Sequence, residues 1–298
     1  MVLILFPGQE YVNNQSPYTA APKSDENAEQ MYNQHQLASD LLSRLAHSNA
    51  EVLSELSPVH DHTKVLRGRK IKSLKDLAML GTQDVRHAPE IWDALWKELT
   101  IKSDKSPRPP ILVAVDGVNF FMTMTKYRSP DYSLVHAHQF TLIKQFVSLL
   151  FNSTKNALPN GGIVMACTTK SNHPPTPSFD LLTKQVRAQQ NGLTQDDSEF
   201  PLWDPYSKGA DQRVYDLLRD SKNTGLTELK GLSRPESKGL LEYFAESGVF
   251  REAVTDSSVN EKWTLSGGGI VGELCKMSAR IRKSMFAVSK REAAKIRA

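Results

Sequence analysis

The sequence has 298 residues, of which 39% are apolar and 23% are charged, a composition typical of a soluble protein with a buried core. Its two cysteines, Cys167 and Cys275, lie far apart, which excludes a disulfide framework and a Cys-x-x-Cys zinc site. The formal net charge of +4 comes from residues 276–298, because the first 275 residues carry 29 basic and 32 acidic side chains.

The first hundred residues predict one strand followed by helices. An uninterrupted apolar run at the N-terminus is typical of a short buried strand, and apolar residues then recur at helical spacing. We predict a strand at residues 2–6 and helices at Glu26–His47, near Glu51, at Leu74–Leu80 and at Ala88–Leu99.

Two further buried strands are predicted in the middle of the chain. A proline-stiffened connector at residues 103–110 leads into the strand Ile111–Val115, and residues 133–151 predict a strongly apolar helix. The second strand is predicted at Ile163–Thr168, where Cys167 is expected to be an inert buried thiol. Strands separated by helices predict an α/β fold with a parallel sheet.

The C-terminal part predicts a smaller, mostly helical region. Residues 183–208 are polar and predict irregular structure. Ser233 and Glu236 form the pattern of a capping box, and Gly248 is placed to end that helix. Residues 262–283 predict a strand, a glycine turn and a final helix. We divide the chain into an α/β domain at 1–208, a helical region at 209–275 and a basic tail at 276–298.

The tail has eight basic side chains and one acidic one. Blocks of like charge at a chain end often bind nucleic acid, although an acidic protein, a membrane surface or solvent alone can also face such residues. No apolar run approaches the roughly 20 residues of a membrane-spanning helix. We expect the tail to contact RNA or another acidic partner through Lys276, Arg280, Arg282, Lys283, Lys290 and Arg291.

The strongest chemical signal is Asp116-Gly117 at the end of a predicted strand. Ligands of open α/β sheets bind at the carboxyl ends of strands, and a carboxylate there can hold Mg²⁺ beside phosphates. The same pair is also a common turn. Thr168 and Thr169, at the end of the next strand, can sense a phosphate, or their hydroxyls can simply hydrogen-bond the backbone groups at the strand end.

The partner motif of such a site is absent from the sequence. A phosphate cradle needs Gly-x-x-x-x-Gly-Lys-Ser/Thr, and no segment matches it. Gly117 stands where many ATPases carry a glutamate that orients the attacking water. We therefore expect no enzymatic hydrolysis.

Two histidine pairs, His60-Asp61-His62 and His136-Ala137-His138, suggest a metal site at first sight. Neither pair brings a third ligand at a recognisable spacing. His136 and His138 lie two residues apart on a predicted helix, so they are not expected to share a face. We interpret all four as surface or packing residues.

Three segments carry a resemblance to a known family: ILVAVDGVN, LSRPESKGLLEYFAESGVF and WTLSGGGIVGELCKMSARIR. Together they resemble the death-associated protein three family, the GTP-binding protein of the mitochondrial small ribosomal subunit, and they are most similar to fungal members. The resemblance implies a P-loop NTPase fold of the AAA-like kind with a helical C-terminal region. It also implies that Asp116 is the Walker B aspartate, with Asn119 beside it.

The resemblance further implies a structural ribosomal protein of the mitochondrial matrix, not a homo-oligomer. Its partners would be small-subunit rRNA, neighbouring ribosomal proteins and the large subunit across the interface. Its cofactor would be GTP or GDP with Mg²⁺, held by Asp116 as the metal ligand. The cofactor-binding residues would be Asp116, Gly117, Asn119, Thr168 and Thr169. A free-standing P-loop GTPase or ATPase, and an RNA-binding adaptor that acts through the tail, are the alternatives.

One departure from the family concerns the N-terminus. VLILFPGQEYVNN resembles the segment that follows the P-loop helix, and the family's transit peptide and P-loop precede that segment. We therefore expect a P-loop NTPase sheet that lacks its P-loop strand, beside the strand at 163–168. Unpaired backbone groups at that edge are costly, so these 298 residues alone are expected to hold an incomplete nucleotide site and to fold poorly.

Overall fold

The computed structural model describes residues 1–13, 16–23, 25–102, 107–151, 157–168, 174–203, 209–219 and 225–279. The chain divides into a unit at Met1–Leu226 and a second unit that begins at Thr227. Each unit has its own cluster of buried apolar side chains. Within the described ranges, no helix combines the length and the apolar character that crossing a membrane requires.

The first unit contains both strands and helices. Its strands are β1 (Val2–Pro7), β2 (Thr19–Ala20), β3 (Tyr32–Asn33), β4 (Ile111–Asp116), β5 (Met124–Arg128), β6 (Leu134–His136) and β7 (Gly162–Cys167). Its helices are α1 (Gly8–Asn13), α2 (His35–Ser48), α3 (Ala50–Glu55), α4 (Thr63–Leu66), α5 (Leu74–Gln83), α6 (Ala88–Thr100), α7 (Thr141–Phe151), α8 (Pro177–Gln190) and α9 (Gln212–Arg219). The second unit contains α10 (Arg234–Glu246), α11 (Asp256–Leu265) and α12 (Val271–Ala279).

The central feature of the first unit is a three-stranded parallel sheet in the order β1-β4-β7. The three strands were predicted to within about one residue at each end, and the parallel α/β architecture is confirmed. In the register of the sheet, Pro7 pairs with Asp116 and Asp116 pairs with Cys167. The carboxyl ends of all three strands therefore meet at one edge.

One face of the sheet carries the apolar core. Alternate residues of β1 are buried, as are alternate residues of β4, because side chains of a strand point to opposite faces. Phe6 packs against Trp92 of α6 and Phe146 of α7, with ring centroids 6.4 and 3.5 Å away. Burial of each such large apolar side chain contributes about 1.5–3 kcal/mol, so this face holds the helices to the sheet.

The opposite face of the sheet is apolar and exposed. Leu3 and Leu5 of β1 are 39% and 52% exposed, and Ile163 and Met165 of β7 are 59% and 47% exposed. The register aligns these residues in two rows across β4. The prediction that residues 163–168 form a buried strand was therefore wrong about burial: β7 lies at the edge of the sheet, and Cys167 is exposed.

Two predicted helices are shorter than expected at their N-terminal ends. Glu26–His47 becomes α2 alone, because Tyr32 pairs in the small β2–β3 sheet and packs against Phe140, with ring centroids 6.1 Å apart. Residues 133–151 begin with β6 and a 3₁₀ turn at Ala137–Gln139, and only α7 is helical beyond it.

The C-terminal part differs from its prediction at two places. Residues 183–208 were predicted to be irregular, yet α8 extends to Gln190, starting at Pro177, which is tolerated in a first turn. Residues 262–265 were predicted as a strand but end α11, which begins with a capping box of Thr255 and Ser258. The capping box of Ser233 with Glu236 is confirmed, and Gly248 follows α10 with a φ of 75°.

The second unit closes around a backbone contact between two glycine-containing segments. Leu232 N–H donates to Gly269 O at 2.8 Å, and Trp263 Nε1–H donates to Leu232 O at 2.8 Å. Gly269 has a φ of 81°, and a Cβ placed there would lie 2.1 Å from Leu232 O. Only glycine satisfies both the conformation and the space at this position.

Candidate functional site

The carboxyl edge of the sheet brings together three of the predicted site residues. Asp116 is the exposed last residue of β4, and Thr168 is exposed just after β7. Gly117 adopts the left-handed conformation with a φ of 74°, and its N–H donates to Cys167 O at 2.9 Å. The Asp116 carboxylate, at the end of β4, and Thr168, just after β7, thus lie at the ends of neighbouring strands.

Of the other two predicted site residues, one is buried and one is not described by the structure. Asn119 is only 3% exposed, in a 3₁₀ turn at Val118–Met122 beneath the strand end. Thr169 lies outside the described residues. The membership of both in a nucleotide site stays a prediction.

The end of β1 lies directly against the candidate site. A Cβ placed on Gly8 would lie 2.5 Å from Gly117 O and 2.9 Å from Asp116 O, so the two backbones touch. Gly8 does not have a positive φ. Glycine is needed here because the two backbones approach too closely for a side chain. This contact holds the start of α1 against the end of β4.

The chemistry available at this edge fits half of a magnesium–nucleotide site. A solvent-facing carboxylate such as Asp116 is a suitable ligand for Mg²⁺, directly or through water. Phosphates additionally need several converging backbone N–H groups, usually from a glycine-rich loop ahead of a helix. The described residues around Asp116 provide no such loop.

His136 and His138 do not have the geometry that a helix would give them. Their ring centroids are 4.6 Å apart, and His136 Nδ1 accepts a hydrogen bond from the His138 N–H at 3.1 Å. His136 Nε2 lies 3.1 Å from Asp211 Oδ2. Burial lowers the pKa of His138 to about 3, aided by repulsion from His136. His136 ends β6 and His138 lies in the 3₁₀ turn that follows, so the helical arrangement expected for them was wrong.

Glu98 organises a polar cluster around its buried carboxylate, and sequence reasoning missed this cluster. Its side chain is fully buried on α6, and Arg108, also buried, donates from Nη2 to Glu98 Oε2 at 2.6 Å. His60 Nδ1 and His62 Nε2 lie 3.0 and 2.8 Å from Glu98 Oε1. The N–H groups of Val59 and His60 donate to the same carboxylate. We call these four side chains the Glu98 cluster.

The hydrogen bonds of the Glu98 cluster dominate its electrostatics. Burial alone would raise the pKa of Glu98, but the bonds from His60 N–H, Val59 N–H and the two imidazoles outweigh it and hold the pKa at about 2. Glu98 follows Ile91 and Leu95 on the buried stripe of α6. A carboxylate that continues the helical spacing of an apolar stripe is the sequence pattern that could have predicted this buried ion pair.

His60, His62 and Glu98 also have the composition of a metal site, since one ligand atom of each lies within 4.8 Å of the others. However, the carboxylate already accepts two backbone N–H groups and the Arg108 guanidinium. A divalent cation would compete with these donors and would lie beside a buried positive charge. We assign the cluster to anchoring: it ties residues 57–62 and the segment before β4 to α6.

The basic tail is mostly outside the described residues. Lys276 is exposed on α12 and pairs with Glu273 at 2.8 Å. The structure does not describe the other five predicted contact residues: Arg280, Arg282, Lys283, Lys290 and Arg291.

Comparison with known proteins decides the family. A family model described as mitochondrial ribosomal death-associated protein 3 matches residues 1–277. The chain belongs to this family. The resemblance recognised in its sequence segments is thereby confirmed, and the family match includes both structural units.

Two relatives within the family are similar along most of this chain. The small ribosomal subunit protein mS29 of Neurospora crassa is 36% identical over 244 residues, which are 82% of this chain and 50% of the relative. The small ribosomal subunit protein mS29 of Schizosaccharomyces pombe is 24% identical over 238 residues, 79% of this chain and 44% of the relative. The chain thus spans about half the length of these relatives.

Proposed function

We propose that this protein is a structural constituent of the mitochondrial small ribosomal subunit. The observation that carries the proposal is the 36% identity over 244 residues to a Neurospora crassa protein named small ribosomal subunit protein mS29. Its expected partners are the rRNA and proteins of that subunit, and the large subunit across the interface. Gly117 follows Asp116 where many ATPases carry a glutamate that orients the attacking water, which supports a role without nucleotide hydrolysis.

The exposed apolar face of the sheet supports the proposal that further polypeptide completes this fold. Parallel sheets are normally covered on both faces, yet Leu5, Ile163 and Met165 lie on an exposed apolar face. We propose that a fourth parallel strand, the P-loop strand of the family, pairs with β7, and that its following helix covers this face. The relatives, being about twice as long, have the polypeptide to supply both.

The two edges of the sheet differ in a way that favours β7 for this added strand. At the β1 edge, the side chain of Asn49 substitutes for a neighbouring strand: its Oδ1 accepts from Leu3 N–H at 2.7 Å and its Nδ2 donates to Leu3 O at 2.9 Å. In the described part of the chain, no side chain does the same for β7. An edge whose backbone groups are already satisfied is a poor template for pairing, whereas β7 remains available.

The experiment that tests the proposed function is sedimentation of the protein from its own mitochondria. The chromosomal copy is tagged, and lysates are separated on sucrose gradients with and without dissociation of the subunits. We expect the protein to migrate with the small-subunit rRNA in both conditions. A slowly sedimenting protein without rRNA would overturn the proposal and favour a free-standing GTPase or ATPase.

A variant lacking residues 276–298, run over a salt series, measures the proposed contribution of the tail.

The nucleotide site is a second, separable part of the proposal. We propose that GTP or GDP binds at the carboxyl edge of the sheet, with Asp116 holding Mg²⁺ and Thr168 near the phosphates. The added P-loop segment would supply the anion-binding N–H groups. The nucleotide would then stabilise the scaffold by binding to its folded state, without turnover.

Substitution Asp116→Asn tests this site in the protein of natural full length. We expect the Mg²⁺-dependent affinity for a fluorescent GDP analogue to fall at least about tenfold, which corresponds to about 1.4 kcal/mol. Wild-type protein with GDP and Mg²⁺ should also protect exposed Cys167 from maleimide, with Cys275 as the internal control. Equal affinity of both proteins and unchanged labelling of Cys167 would refute the site.

A further inference from the structure

The hairpin formed by β5 and β6 presents an outward face that the functions above do not use. Side chains of β5 alternate, with Thr125 and Tyr127 buried and Met124, Lys126 and Arg128 exposed. Two cations therefore point to solvent from one strand. Apolar side chains flank them at the base of the hairpin, where Met124 is 51% exposed, and on β6.

The tip of the hairpin holds an aromatic side chain in an unusual backbone conformation. Tyr132 is 79% exposed and has a φ of 63°, in the left-handed region that bulky residues rarely occupy. Arg128 Nη1 donates to Tyr132 O at 2.7 Å, so the guanidinium lies beside the base of the aromatic residue. A large exposed ring at a strained position is a poor choice for stability and therefore indicates a contact surface.

The turn that carries Tyr132 is internally braced. Asp131 accepts hydrogen bonds from the hydroxyls of Ser129 and Ser133, and Ser129 N–H donates to Ser133 O at 2.9 Å. These bonds lower the pKa of Asp131, with the Ser129 hydroxyl as the main cause. The acid of the hairpin is thus engaged within the turn, whereas Lys126 and Arg128 are exposed, Arg128 with one N–H donated to Tyr132 O.

The base of the hairpin is fixed to the core of the first unit. Tyr127 packs against Phe140 and Tyr18, with ring centroids 4.9 and 5.2 Å apart. The Tyr18 hydroxyl donates to Arg128 O, and Thr125 Oγ1 donates to Val135 O at 2.8 Å. A hairpin anchored in this way presents its tip with little freedom to lose on binding.

We propose that this hairpin binds single-stranded or looped RNA, with Tyr132 stacking on a base and Lys126 and Arg128 neutralising the adjacent phosphates. The positive charge of the outward face complements a phosphate backbone, and an exposed aromatic ring beside cations is the usual platform for unpaired bases. A purely apolar partner would leave both cations unpaired. This inference rests on the proposed function, because small-subunit rRNA is then the RNA within reach.

The test is ultraviolet crosslinking of small subunits purified on gradients from cells with the tagged chromosomal copy. Mass spectrometry is used to search for nucleotide adducts on the tryptic peptide of residues 129–144, which contains Tyr132. We expect Tyr132→Ala to lower the adduct yield about tenfold and Tyr132→Phe to preserve it, because stacking needs the ring but not the hydroxyl. Tyr243→Ala, which removes a ring 63% exposed on α10, is the matched control and should leave the yield unchanged.

The outcomes separate this inference from the proposed function. If the protein sediments with the small subunit but peptide 129–144 carries no nucleotide, or crosslinks to protein instead, the hairpin proposal fails and the ribosomal role stands. If the protein does not sediment with the subunit, the proposed function itself fails. Equal adduct yields from wild type and Tyr132→Ala also overturn the assignment to Tyr132.

Discussion

Substitution Glu98→Gln is expected to lower the free energy of unfolding by about 3–5 kcal/mol. The amide keeps the size of the side chain but removes its charge, so the buried Arg108 guanidinium loses its counter-ion. The amide also cannot accept from all the donors of the Glu98 cluster, since one of its ends is itself a donor. Urea titration of the protein of natural full length, followed by circular dichroism, measures the loss.

The control for this substitution is Glu90→Gln, the same chemical change at an exposed position of α6. We expect it to alter stability by less than about 0.5 kcal/mol. A loss from Glu98→Gln as small as that of the control would show that the buried pair contributes no net stability.

The Glu98 cluster also predicts how stability depends on pH. The pKa of Glu98 is about 2 in the folded protein, below its usual 4.5. A carboxyl group with a lowered folded-state pKa stabilises the fold fully above about pH 4.5, and this contribution is lost as the pH falls towards 2. In Glu98→Gln this part of the acid dependence should disappear, whereas in Glu90→Gln it should persist.

Substitution Gly269→Ala is expected to unfold the second unit while the first unit remains folded. The added methyl would lie 2.1 Å from Leu232 O, at a φ of 81° that alanine adopts at a cost of about 1–2 kcal/mol. Both hydrogen bonds that join Leu232 to Gly269 and Trp263 would have to break. Because the buried apolar core of this unit is small, it cannot compensate for the loss.

Hydrogen exchange read by mass spectrometry resolves this effect by region. Peptides from residues 227–279 of Gly269→Ala should lose protection, whereas peptides from the sheet should keep it. Gly239→Ala is the control, because Gly239 lies within α10 with no atom within 4 Å of an added Cβ. Alanine should stabilise that helix by about 0.5–1 kcal/mol. Full protection of residues 227–279 in Gly269→Ala would contradict the role assigned to this contact.

The sequence predicted the sheet well because its strands are uninterrupted apolar runs. The same uniformity explains the main error, since an apolar run does not tell a strand covered on two faces from one covered on a single face. Ile163 and Met165 look buried by composition and are exposed in the structure. Local chemistry predicted the caps at Ser233 and Gly248, where a few neighbouring residues decide the conformation.

The errors arose where local signals compete with each other or where distant residues decide the local structure. Trp263 and Thr264 favour a strand by propensity, but the capping box at Thr255 commits the segment to a helix. The candidate site stays a prediction: Asp116 lies at the strand edge, while Asn119 is buried. The Glu98 cluster joins residues nearly 40 positions apart, and no spacing rule connects them.

The order of the strands has a consequence for synthesis of the protein. β1 is complete at Pro7, but β4, with which it pairs, begins only at Ile111. At a translation rate of roughly 5–20 residues per second, the first strand waits about 5–20 s before its neighbour exists. Throughout that interval, an apolar segment with unpaired backbone groups is open to wrong associations. The topology itself sets this delay, because β1 has to pair with a strand that follows about a hundred residues later.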